Sequence, residues 1–205
     1  MLIGLTGLYC AGKNHVAAIL EKHGLPVLDA DRLGHIVIES QKKAVFGRFG
    51  EDLKNPDGSV NRRLLGTRVF GKTNELSALE ALVHPEVNRL IEEWVAAQNG
   101  KNCVINAALL HKAAIFKKLN CIIMVESPAI VRLIRAKRRD NLPFAVLFQR
   151  MKKQKHFFSK YLSVKADIYR VKNPGIGNVP GKTGAGEKLE RRIDEILSKT
   201  GLKTF

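Results

Sequence analysis

Acidic residues are scarce in this 205-residue chain: 19 Asp and Glu stand against 35 Lys and Arg, a formal net charge of +16. It has no uninterrupted apolar run of the ~18 residues that a membrane-spanning helix requires, so a membrane-embedded function is excluded at this level. Its three cysteines, Cys10, Cys103 and Cys121, are odd in number and show no C-x-x-C spacing. That excludes a disulfide framework and fits reduced thiols. No basic-then-apolar signal segment precedes the first apolar stretch, so a cytoplasmic location is expected. Internal repeats are absent. Aromatic residues are not interleaved with the basic ones, so base stacking on nucleic acid is not suggested.

An apolar content of 45% supports a real core, and the length fits one domain. The positive charge asks for an anionic partner without choosing among polyphosphate, nucleic acid or lipid. The choice comes from the first residues. An apolar stretch from Leu2 runs into Gly7, four residues follow, and Gly12-Lys13 leads into helical spacing. This is G-x-x-x-x-G-K in its required strand–loop–helix context. Glycine lets the backbone fold tightly so that its N–H groups converge on a phosphate, and the following helix adds unpaired amides and a positive dipole end. Gly7, Cys10, Ala11, Gly12, Lys13, Asn14 and His15 are therefore the expected ATP-phosphate contacts, with Lys13 supplying the full charge. A hydroxyl is usual after the lysine to hold Mg²⁺, and Asn14 stands there instead. Its amide oxygen suits a hard cation directly or through water, and Asn also caps helices well.

Along the chain, strands are expected over 2–5, 26–29, 103–106, 121–125 and 168–171, alternating with helices, which predicts a parallel α/β sheet covered on both faces. The second strand ends in Asp29-Ala30-Asp31, at the end of a strand where open sheets bind ligands. In one arrangement both acids share a face. In the other, Asp31 opens the next helix as its N-cap and only one faces the site. Helical spacing continues over 32–50, 59–70 and 75–98, the last interrupted by His84-Pro85. After Pro128 a helix carries Arg132, Arg135 and Arg139 at i, i+3 and i+7, on one face. Asn141-Leu142-Pro143 breaks it before a second basic helix over 144–155, and this pair of helices reads as a lid. The stretch from Gly175 to Gly186 reads as mobile, and a last helix spans 187–198.

These pieces together resemble the dephospho-coenzyme A kinase family of P-loop kinases, over 2 to about 175. The loop, Val27-Leu-Asp-Ala-Asp31, Asp57-Gly-Ser-Val-Asn-Arg-Arg63, His84-Pro85, Gln149-Arg-Met-Lys-Lys-Gln154 and Ala166-Asp167 carry the likeness. It implies a three-layer P-loop fold with a five-stranded parallel sheet, a helical substrate-side insert and a helical lid. It implies Asp31 as the base at a ribose 3′-hydroxyl, Arg63 and His84 on the substrate side, Asn173 and Gly175 near adenine, and Arg135, Arg138 and Arg139 in the lid. Departures are Asn14-His15 for Ser-Thr, Leu8 and Cys10 for glycines, and Ala108-Leu-Leu-His-Lys112 for Pro-Leu-Leu-x-Glu. Pro143-Phe-Ala145 replaces a lid Thr-Arg-Glu.

The expectation is therefore a single kinase domain with core segments 1–58, 101–134 and 156–205, insert 59–100 and lid 135–155. It uses ATP and Mg²⁺, with Lys13 and Asp31 catalytic, to phosphorylate dephospho-coenzyme A. A monomer or small homo-oligomer is expected, with a small-molecule partner and neither nucleic acid nor membrane. Two alternatives stand beside it: a kinase of another small nucleotide or metabolite, and a non-catalytic basic nucleotide- or nucleic-acid-binding module whose loop Asn14 has disabled.

Overall fold

The computed structural model describes residues 1–161, 164–174 and 184–202. The chain divides into two compact units, one of residues 1–28 with 98–205 and the other of residues 29–97.

The first unit is built on a five-stranded parallel sheet: β1 (Leu2–Gly7), β2 (Val27–Asp29), β3 (Cys103–Asn106), β4 (Cys121–Glu126) and β5 (Asp167–Lys172), in the order β2-β3-β1-β4-β5. Central strands β1, β3 and β4 are almost wholly buried, as continuous apolar runs must be when helices cover both faces. Edge strand β5 buries only Val171. Helix α1 (Lys13–Lys22) packs Val16, Ala17, Ile19 and Leu20 into a core shared with Leu189, Ile193, Ile196 and Leu197 of the last helix. The chain leaves β1 toward β2 and leaves β4 toward β5, although β1 and β4 are neighbours. The cleft past the carboxyl ends of that pair is where an open α/β sheet takes its ligand.

Register explains why Gly7 ends β1. It sits opposite Val125, and a β-carbon there would lie 2.7 Å from the Val125 carbonyl oxygen. No larger residue fits without prising the two strands apart.

The second unit consists of α2 (Ala30–Ser40), α3 (Lys42–Phe49), α4 (Arg62–Val69) and α5 (Thr73–Ala97). Val45, Phe46, Phe49, Leu53, Val60, Leu65 and Val69 form its core. The break at Gln41 splits the expected 32–50 helix in two, and α4 starts three residues later than its spacing suggested, at an Asn61 cap that accepts from the Leu64 N–H at 3.0 Å. Proline does not interrupt the long helix: α5 runs through Pro85 for 25 residues. Pro85 and Ala81, whose carbonyl loses its helical partner, are both exposed, so that carbonyl is not stranded in the core, while Val83 and Ile91 are the buried residues of the helix.

The basic pair expected after Pro128 forms as α6 (Ala129–Asp140) and α7 (Phe144–Lys152), separated at Asn141, which adopts a left-handed conformation with φ of 49°. Helix α8 (Ala185–Lys199) closes the chain. The segment read as mobile falls, over 175–183, outside the described residues, and so does Gly175.

Candidate active site

The loop between β1 and α1 turns through left-handed backbone at Cys10, φ 58°, and at Gly12, φ 95°. Such alternation curls successive N–H groups around a concave anion site. The Leu8 amide donates to Val125 and the Ala11 amide to the Leu8 carbonyl, at 3.1 and 2.9 Å, which fixes the base of the curl. Gly12 occupies the N-cap of α1 with no side-chain cap, and the first turn holds no acid. The positive end of α1 is therefore uncompensated by protein, as a phosphate site requires. Asn14 lies inside that turn and is not its cap. Lys13 and His15 flank it.

Behind the loop stands Asn173, buried at 6% exposure just past β5. Its Nδ2 donates to the Ala11 carbonyl at 2.9 Å, its Oδ1 accepts from Arg135 Nη2 at 3.2 Å, and its backbone N–H donates to Glu126. Arg135 Nη1 donates in turn to the Ala11 carbonyl at 3.1 Å and to Ser127 Oγ at 3.4 Å. The loop's carbonyls, which would repel phosphate, are thus turned away and satisfied from behind. A β-carbon at Gly12 would collide with Asn173 Nδ2, a second reason for glycine beside its positive φ.

The three arginines expected on one face of α6 do share it, with different duties. Arg135 braces the loop. Arg132 donates through Nε to the Ser127 carbonyl at 3.1 Å, while its Nη1 is buried with no hydrogen-bond partner among the described residues. Burial pulls the Arg132 guanidinium below its ordinary pKa, partly offset by the nearby Cys10. Arg139 stacks over the Tyr9 ring, 5.1 Å from its centroid. Arg138 is exposed on α6. The Cys10 thiol is pushed up by burial and by the Asp140 carboxylate, against the lowering pull of Arg139, Arg135 and Arg132.

One buried group beside the loop carried no motif. Asn106, at the carboxyl end of β3 and 2% exposed, donates through Nδ2 to Asn14 Oδ1 at 3.3 Å. Its own Oδ1 has no partner among the described residues. Its position at a strand end was the only sequence signal available. Tyr9 and Asp140, which cluster around the loop, likewise lacked a spacing to announce them, whereas their partners Arg150 and Gln154 fall in the 149–154 stretch that carries the family likeness.

In the second unit the two acids part company. Asp29 caps α2, accepting from the Arg32 N–H at 3.1 Å, and Asp31 occupies the first turn. This corrects both arrangements drawn from the sequence: the cap is Asp29, and Asp31 is left as an exposed carboxylate in the helix's first turn. A cavity of about 670 Å³ opens beside α2 and the start of α4, lined by Arg32, His35, Ile36, Glu39, Asn55, Ser59, Val60, Asn61, Arg62 and Arg63. Three arginines on one cavity suit an anionic ligand. Arg63 lines it, whereas His84, half-buried on α5, does not. Among the described residues, no three His, Cys, Asp or Glu side chains gather as a metal-binding group. No described helix is long and apolar enough to cross a membrane.

The family model for dephospho-CoA kinase matches residues 1–169. A Treponema denticola protein named dephospho-CoA kinase is 35% identical, with 84% of this chain and 82% of that protein covered. A Treponema pallidum protein of the same name is 31% identical, with 98% and 96% covered. A solved Thermus thermophilus structure superposes with a TM-score of 0.76 at 29% identity, covering 97% of each chain. A dephospho-CoA kinase from Campylobacter jejuni, 20% identical, shares the fold with a TM-score of 0.67 over 97% of this chain and 96% of that one.

Proposed function

The chain belongs to the dephospho-CoA kinase family, and from that premise we propose that it transfers the γ-phosphoryl group of ATP to the 3′-hydroxyl of dephospho-coenzyme A, giving coenzyme A and ADP. The observation that carries the ATP side is the braced loop, with Asn173 and Arg135 bonded to the loop's carbonyl side and an uncapped α1 N-terminus. Transfer of a phosphoryl group demands positioning and charge neutralisation more than covalent chemistry, and a lysine, a curled loop and a basic helix pair supply both.

Roles follow residue by residue. Gly7, Cys10, Ala11, Gly12, Asn14 and His15 belong to the phosphate loop, and Lys13 neutralises the β/γ-phosphates. Arg139 and its neighbours in the lid, 135–155, offset the charge of the group in transfer. Asn173 is assigned to the adenine side. Asp31 accepts the proton of the 3′-hydroxyl as its oxygen bonds to phosphorus and the bond to ADP breaks. Arg63, with Arg32 and Arg62 on the same cavity, takes the anionic part of the acceptor, and His84 is assigned to the acceptor side.

For Mg²⁺ the donor set is neutral: the amide oxygens of Asn14 and Asn106, the latter buried and without a partner among the described residues. Oxygen donors of this kind fit a cation that keeps much of its water and is held mainly by substrate phosphates. When bound, Mg²⁺ supplies charge neutralisation of the β- and γ-phosphate oxygens.

The test is ADP release from ATP with and without dephospho-coenzyme A, together with the mass of the organic product. Acceptor-dependent ADP and a product heavier by one phosphate are expected. ATP binding with no product from this acceptor would move the assignment to another small nucleotide or metabolite.

A further inference from the structure

Tyr9 is a bulky residue for the interior of a phosphate loop, and its contacts account for it. Its backbone N–H donates to Gln154 Oε1, in the turn after α7, at 2.7 Å. Its phenol donates to Asp140 Oδ2, at the end of α6. Arg150, on α7, donates to the phenol oxygen at 3.4 Å and to Asp140 at 3.1 Å. Arg139 reaches Asp140 through Nε at 2.8 Å and Nη2 at 3.3 Å. Both guanidinium groups also lie over the Tyr9 ring, at 5.1 and 6.0 Å from its centroid. One loop residue thus meets the end of α6 and the body of α7 through its side chain, and the turn beyond α7 through its backbone.

The electrostatics of this cluster are unusual for a site meant to receive an anion. Two arginines are matched by one carboxylate only 17% exposed, and the Arg139 hydrogen bond holds that carboxyl below the usual range, so it is charged at neutral pH. A carboxylate there repels phosphate, and the phosphoryl transfer has no use for it. Its geometry serves the arginines instead. Their competing partner is a single acid, and a polyphosphate offers several oxygens in the fork geometry that guanidinium prefers.

We propose that Tyr9 and Asp140 are positioning residues: they keep Arg139 and Arg150 beside the phosphate loop, and release both guanidinium groups to the polyphosphate of the incoming nucleotide. This rests on the nucleotide reading of the loop given above. Tyr9 contributes a flat cationic platform and one hydrogen bond. Asp140 contributes the counter-charge that holds two long side chains in register, at the cost of competing with the ligand for them.

The test uses Asp140→Asn and Tyr9→Phe, with ATP titrated in the absence of acceptor and kcat and KM measured separately with dephospho-coenzyme A. In Asp140→Asn the competitor is gone and the register is lost. ATP should bind about three- to tenfold tighter, and kcat should fall about tenfold. Tyr9→Phe keeps the ring and removes the phenol, so it should move both quantities the same way by about threefold or less. A merely structural role lowers the active fraction, which depresses kcat and leaves ATP affinity unchanged, and that result overturns the proposal. Unchanged kcat and affinity in Asp140→Asn also overturn it, reducing the cluster to surface ion pairs of little worth. Weaker ATP binding in Asp140→Asn overturns it as well. If the wild-type protein binds ATP but does not phosphorylate dephospho-coenzyme A, the choice of acceptor fails while the ATP titrations still decide this point.

Discussion

The side-chain amide of Asn173 donates to the main-chain carbonyl of Ala11 across 162 positions of sequence, at 2.9 Å in a buried setting. That bond ties the strand end of β5 to the back of the phosphate loop, and the other end of the same amide is held by Arg135. The loop's shape is therefore enforced by tertiary contacts as well as by its glycines.

Removing the amide tests this. Asn173→Ala removes one of the two donors to the buried Ala11 carbonyl and leaves the Nη2 arm of Arg135 without its partner, which should cost about 1–3 kcal/mol of stability. ATP affinity should fall about tenfold as the curl loosens. Urea unfolding with and without ATP separates the two effects. Full ATP affinity in a destabilised variant would mean that the loop holds its shape without Asn173.

Gly12→Ala asks the same question from the other side. Its φ of 95° is strained for any β-carbon, by about 1–2 kcal/mol, and that β-carbon meets Asn173 directly. The expected outcome is native circular dichroism with ATP binding abolished. Retained binding would show that Asn173 can move aside.

The parallel sheet and the loop were legible because both leave local signals: apolar runs for buried strands, and a glycine spacing before a helix. The acids after β2 were half legible. Composition placed two carboxylates at a strand end, but which of them caps α2 depends on a one-residue choice of helix start, and Asp29 took the cap. Pro85 misled because sequence cannot say whether a proline faces water or core. The contacts of Asn106, Asp140 and Gln154 with the loop were illegible for a plainer reason, although Gln154 itself lies in a stretch that carries the family likeness. They are made 92, 131 and 145 positions away, which no periodicity records.

Asp31→Asn separates binding from chemistry. ATP affinity should be kept, because the loop contacts are untouched, while kcat with dephospho-coenzyme A should fall by about 10²–10⁴ through loss of the proton acceptor. Rapid-quench turnover beside an ATP titration reads both. Undiminished turnover would take Asp31 out of the mechanism.

Asn14→Thr restores a hydroxyl in place of an amide whose oxygen already accepts from Asn106. The free Mg²⁺ giving half-maximal ATP affinity should fall about three- to tenfold, since a small hydroxyl accommodates the hydrated ion better. Titrating Mg²⁺ at fixed ATP by a binding signal measures this without turnover. An unaltered Mg²⁺ dependence would place the cation away from this side chain.

Cys10 provides a readout of the loop's local balance between burial and charge. Three arginines favour its thiolate, yet burial, together with the nearby Asp140 carboxylate, outweighs them and pushes the thiol above its ordinary value. Because the thiolate is the reactive form, a raised pKa means less of it at neutral pH. Iodoacetamide at pH 7 should therefore modify Cys10 more slowly than a free cysteine in solution, and the rate should keep climbing well past the pH at which a free thiol levels off. Cys121 is buried and pushed up to about 11, so it should react last. ATP on the loop should slow Cys10 further while leaving Cys103 and Cys121 as they were. Peptide mass spectrometry across a pH series gives each rate. Alkylation of Cys10 at pH 7 as fast as free cysteine would mean that the arginines prevail over burial, and that the loop presents a thiolate to its ligand.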